Sequence, residues 1–148
     1  MEGRDVERSS EAQAGTRLQL PLSRLLLQVQ PLPDCLFLYL TDLLDPRRIA
    51  LLRVPSGSEL DGLSVASPVG QVHSVPWALA YGMGPLPADS VVSFSTATLR
   101  FRRTTTAPAQ FLPEGLWVAE AAGLFARAAV VVDGVEISQT RLLTSWPR

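Results

Sequence analysis

The chain has 148 residues, 47% of them apolar and 18% charged, with a formal net charge of −1. That balance suits one folded domain with its own core and excludes a wholly disordered chain. The near-zero net charge gives no electrostatic case for nucleic acid or an anionic membrane as partner.

All 13 basic residues are Arg, and the chain has neither Lys nor Asn. Both missing amino acids have A/T-rich codons, so a high-GC genome explains the bias more simply than phosphate binding does. Cys35 is the single cysteine. It excludes an intrachain disulfide and a cysteine-rich metal site, and its apolar neighbours predict a buried thiol. The polar, acidic start lacks the apolar core of a secretory signal, and the apolar runs are too short to span a bilayer. These features set the expectation of a cytoplasmic protein with no membrane partner.

In chain order, residues 1–16 are polar and aperiodic, predicting a disordered tail that packs against nothing, with a single domain over 17–148. Leu18 to Gln30 alternates loosely. Leu25, Leu27 and Val29 share one face of an extended segment, Pro21 suits an edge strand or a strand start, and a short helix over Ser23–Val29 is the alternative. After the break at residues 31–34, Cys35 to Thr41 is apolar on both faces and is expected as a strand buried on both sides. Asp45-Pro46 marks a turn, and Ile49 to Val54 another strand. Residues 55–71 read as a long loop with a short strand near Leu63–Ala66, and a strand is expected near Trp77–Tyr81.

Val91 to Phe94 alternates with Val92 and Phe94 inward. From Ala97 to Arg103 the apolar phase shifts by one residue, which requires a bulge or a new strand. Residues 104–113 read as loop and Leu116–Ala119 as a short strand, with room for a helical turn in the alanine-rich stretch after it. The clearest local signal is Asp133-Gly134 between two β-prone runs, which predicts a two-residue hairpin turn. Simple alternation then pairs Val132 with Val135, Val131 with Glu136, Val130 with Ile137 and Ala128 with Gln139. The sum is an all-β protein: an antiparallel β-sandwich, immunoglobulin-like or jelly-roll-like, of seven to nine short strands and at most one or two helical turns.

Chemistry is thinly signalled. His73 is the only histidine, with no Gly-x-Ser-x-Gly elbow and no reactive setting for Cys35 to join it. The acids fall mostly at turns, and there is no phosphate loop or EF-hand spacing. No catalytic, cofactor or metal residue is therefore assigned. Arg100 and Arg102 share one face of the segment 98–106 and are the candidate partner-binding residues; edge protection of a strand is the competing explanation. The expected function is a non-catalytic interaction or structural module that binds a protein partner, acidic in character, or a second copy of itself. The alternative is a small-molecule-binding or hydrolytic β-barrel with its site in loops 55–71 and 104–115. A flat apolar surface or an exposed sheet edge would favour the first, and a pocket of clustered acids the second.

Overall fold

The computed structural model describes residues 15–58, 60–65, 76–96 and 103–147, and within them every regular element is a β-strand. There are twelve strands: β1 (Arg17–Gln19), β2 (Leu25–Pro31), β3 (Cys35–Asp42), β4 (Ile49–Pro55), β5 (Asp61–Val65), β6 (Trp77–Met83), β7 (Val91–Ser95), β8 (Thr104–Pro108), β9 (Gln110–Phe111), β10 (Leu116–Ala122), β11 (Arg127–Val132) and β12 (Val135–Arg141). They form three four-stranded sheets: a front sheet β1-β2-β3-β4, a middle sheet β5-β6-β10-β9 and a back sheet β12-β11-β7-β8. Within the sheets neighbouring strands pair antiparallel.

The alternation of β6 and β10 makes this a stack of three layers. Trp77, Leu79 and Tyr81 of β6 and Leu116 and Val118 of β10 join the front sheet's Leu27, Val29, Leu38, Leu40 and Val54 in one core. The residues between them, Ala78, Ala80, Trp117, Ala119 and Ala121, join Val92, Phe94, Ala128 and Val130 of the back sheet in a second core. Successive strand side chains point to opposite faces, so a sheet covered on both sides buries long runs of consecutive residues. The doubly buried strands are those of this middle sheet: β6, β10 and, from Gly62 to Val65, β5. This corrects the expectation for Cys35–Thr41: β3 is interior within its own sheet but buries only one face, leaving Phe37, Tyr39 and Thr41 half-buried on the other.

Other corrections have local causes. Leu18 to Gln30 is a hairpin, not one strand or a helix. The chain reverses at residues 21–24, with Arg24 in the left-handed region (φ 59°), and Leu18 pairs with Leu27. Residues 104–111, expected as loop, carry β8 and β9. The β-branched Thr104–Thr106 run pairs with β7 at the sheet edge, where Pro108 ends the strand at little cost. The alanine-rich stretch around Gly123 is strand and loop without a helical turn.

The hairpin turn is as expected, with positive φ at Asp133 (50°) and Gly134 (79°), the signature of a type I′ turn. Val132 faces Val135 and Val131 faces Glu136; then a bulge shifts the register, so Val130 faces Ser138 and Ala128 faces Thr140. The expected pairs Val130 with Ile137 and Ala128 with Gln139 are thus displaced by one residue. The bulge puts Ser138 and Thr140 beside the core and leaves Ile137 exposed.

The tail expected over 1–16 lies mainly outside the described residues, but Thr16 belongs to the fold. Its N–H and hydroxyl donate to Glu114 Oε1 at 2.7 and 2.6 Å, and its carbonyl accepts from Val29 N–H at 2.9 Å. At the other end of the chain, Leu143 bridges parallel to Leu63 at the β5 edge, and Trp146 reaches the front sheet.

Candidate interaction surface

Antiparallel sheets at a protein surface ordinarily turn a polar face to water. The back sheet obeys this. Cross-strand rows on its outer side read Arg127–Ser95–Thr104 and Ala129–Ser93–Thr106, small or polar, with one apolar row, Val131–Val91–Pro108, at the hairpin end. The front sheet does not. Its outer rows read Gln19–Leu26–Thr41–Ile49, then Arg17–Gln28–Tyr39–Leu51, then Gln30–Phe37–Arg53. Leu26, Phe37, Tyr39, Ile49 and Leu51 form a neighbouring set of apolar side chains on one four-stranded face. Ile49 is 59% exposed and Leu51 48%. The charged members of these rows are Arg17 and Arg53, both exposed cations.

β4 is the edge of this sheet. Its ladder to β3 is flanked by Asp42 N–H donating to Arg48 O (3.0 Å) and Ser56 N–H donating to Asp34 O (3.3 Å). Hydrogen-bonded pairs alternate along an antiparallel ladder, so the even-numbered residues of β4 bond to β3. Ile49, Leu51 and Arg53 therefore turn their N–H and C=O groups away from the sheet.

A second cluster brackets the start of β4. Asp42, 2% exposed, accepts from Leu44 N–H at 2.9 Å and pairs with Arg48 at 3.6 Å. The Arg48 guanidinium lies 4.5 Å from the ring centre of Trp146, whose indole meets Trp77 edge to face at 6.3 Å. Trp146 Nε1–H donates to Ile49 O at 3.4 Å.

The other acids are engaged structurally. Glu120 accepts the N–H groups of Leu22 and Ser23 at 2.8 and 2.9 Å, holding the β1–β2 turn. Asp61 accepts from Gly62 N–H at 2.8 Å. Burial pushes the Tyr81 phenol well above its ordinary value of 10.0, and the Asp61 carboxylate across the strand pair adds to the shift. Sequence reasoning missed Glu120 as a turn clamp. Its signal was an acid in phase with Leu116 and Val118, on a face otherwise apolar.

Arg100, Arg102 and His73 lie outside the described residues. Loops 55–71 and 104–115 each reach the end of β6: Met83 N–H donates to Ser58 O at 2.7 Å and Gly84 N–H to Gly115 O at 3.0 Å. The sheets are open, not closed into a barrel. Among the described residues no three His, Cys, Asp or Glu side chains gather as a metal site. Cys35 is buried, as its neighbours suggested. Among the described residues no helix is long and apolar enough to cross a membrane.

Comparison with protein families, with curated proteins and with solved structures finds no match to this chain.

Proposed function

We propose that this protein is a non-catalytic interaction module that binds an acidic protein partner through the outer face of its front sheet. The observation carrying the proposal is the contrast between two outward faces of one molecule, with large apolar side chains across the front and mostly small or polar ones behind. Water-facing sheet surfaces gain nothing from Leu26, Phe37, Tyr39, Ile49 and Leu51, whereas an interface core does. Arg17 and Arg53 at the sides supply attraction for acidic groups and recognition at a polar rim. The carboxylates Asp42, Asp61, Glu114 and Glu120 each hold backbone groups, and Asp42 also pairs with Arg48; these structural tasks favour a binding role over hydrolysis.

The test compares wild type with the double variant Ile49→Thr, Leu51→Thr as baits in the native source. Both residues are exposed and Thr retains strand preference, so the melting curve should stay put. A partner held by wild type should be lost by the variant, and its retention should weaken as salt is raised, because exposed attraction is screened over about 8 Å at physiological ionic strength. Identical captured sets from the two baits would refute the proposal.

A further inference from the structure

An open strand edge is a template for another strand, and proteins usually blunt it. In this molecule the blunting is visible at the other edges. β1 and β9 are only three and two residues long. β12 is bent by its bulge. β8 ends at Pro108 and turns directly into β9 of the middle sheet. β5 is covered where Ser64 N–H donates to Leu143 O at 2.7 Å and Leu143 N–H to Gly62 O at 3.1 Å. β4 differs. It is seven residues long, straight in register along its whole pairing with β3, and exposes Ile49 and Leu51 beside its outward main chain. Its window is framed by the Trp146 indole on Ile49 O at one end and by Pro55, which has no N–H, at the other.

From this edge we infer that the partner adds an extended acidic segment to β4 as a fifth strand of the front sheet. The inference rests on the proposed interaction role and specifies how the partner is held. Leu51 and Arg53 each offer an N–H and a C=O, with the Ile49 N–H beside them, and an added strand bonds them at alternate residues. Side chains at those alternate positions lie on the outer face, opposite Arg53, Leu51 and Ile49. In an antiparallel partner they read acidic–x–apolar–x–apolar from N to C terminus. Charge selects this occupant over a second copy. Pairing β4 with itself about Leu51 would set Arg53 against Ile49, giving the cation no counter-charge, whereas an acidic residue at that place forms a cross-strand pair.

The probe is the synthetic acetylated, amidated peptide Thr-Asp-Thr-Val-Thr-Ile-Thr, titrated into the full-length ¹⁵N-labelled protein. The amide signals of Leu51 and Arg53 should shift and gain protection from hydrogen exchange. Leu51→Pro removes an outward N–H without breaking a bond to β3, so the fold should survive while affinity falls about tenfold, as for loss of one good hydrogen bond. Arg53→Glu should weaken binding about fivefold, with recovery when Lys replaces the peptide Asp. The untouched protein provides a control: N-methylation of the peptide Val, whose amide faces Leu51 O, should abolish binding, whereas N-methylation of the next Thr should not. Absence of shifts at millimolar peptide, or indifference to Val methylation, would overturn the inference. So would a wild-type dimer in light scattering that Leu51→Pro converts to monomer, since a second copy would then occupy the edge. If Ile49→Thr, Leu51→Thr abolishes capture of the natural partner while Leu51→Pro leaves it intact, the interaction role stands and strand addition fails.

Discussion

Glu120 shows how one side chain can set a neighbouring layer. It rises from β10 among Leu116 and Val118, and its two oxygens take the backbone N–H groups of Leu22 and Ser23. Glu114, in the turn before β10, takes the N–H and hydroxyl of Thr16 on one oxygen, so two carboxylates hold the two ends of the front sheet's first strand. Charge-assisted bonds of this kind are stronger than neutral ones, which suits a three-residue strand with little surface of its own to bury. Tyr81, on the neighbouring strand β6, has a consequence for pH. Its phenol is held above the ordinary value of 10.0, chiefly by burial and further by Asp61. The native state therefore keeps a proton that the unfolded chain loses above pH 10, so folding stability falls as pH rises beyond that point. The Tyr81 contribution is complete below pH 10 and disappears towards the higher folded value. Urea unfolding at pH 9 and pH 11 should show a steeper loss in wild type than in Tyr81→Phe; equal losses would exclude Tyr81 as the cause.

At the scale of elements, β6 and β10 divide their residues by size. Large side chains such as Trp77, Leu79 and Leu116 face the front sheet, and Ala78, Ala80, Ala119 and Ala121 face the back. Trp117 and Phe94 fill the second core among these alanines. Gly62 on β5 shows the closeness of packing there. A Cβ at Gly62 would stand 2.4 Å from Leu79 O and 2.7 Å from a Leu142 methyl. Enlarging a residue on this side forces neighbours off their rotamers, so Ala80→Leu should destabilise by about 1–3 kcal/mol. A denaturation midpoint equal to wild type would show that the gap between middle and back sheets is wider than the structure has it. The bulge in β12 works at the same scale. Without it Ile137 would stay in phase with the core, and with it Ser138 takes that place.

Across the whole molecule, the last residues tie the layers together. After β12 the chain leaves the back sheet, pairs Leu143 with the β5 edge of the middle sheet and sets Trp146 against Trp77, Arg48 and the Ile49 carbonyl. One edge-to-face pair and one cation–π contact of this exposure are together worth about 1–2 kcal/mol. Trp146→Ala should lower stability by that amount in urea unfolding and speed hydrogen exchange near Ile49. No change in either measurement would mean the tie is not formed in solution.

Local chemistry was enough for part of this. The turn at Asp133-Gly134 follows from the backbone freedom of its two residues, the strands at 25–31 and 91–95 from period-two alternation of apolar side chains, and that at 49–55 from a short apolar run ended by Pro55. The inward positions Leu25, Leu27, Val29, Val92 and Phe94 could be named for the same reason. Alternation cannot tell which layer will cover a face. Cys35–Thr41 and Trp77–Met83 are both apolar on two sides, yet only the second lies between two sheets. The stacking order decided that Phe37 and Tyr39 meet water and that Ala78 and Ala80 do not. Register against a neighbour likewise decided the bulge in β12 and the outward main chain of Ile49, Leu51 and Arg53. The front face as a candidate site was therefore absent from the sequence reading, because exposure is a property of what packs where, and that is settled only when three sheets share two cores.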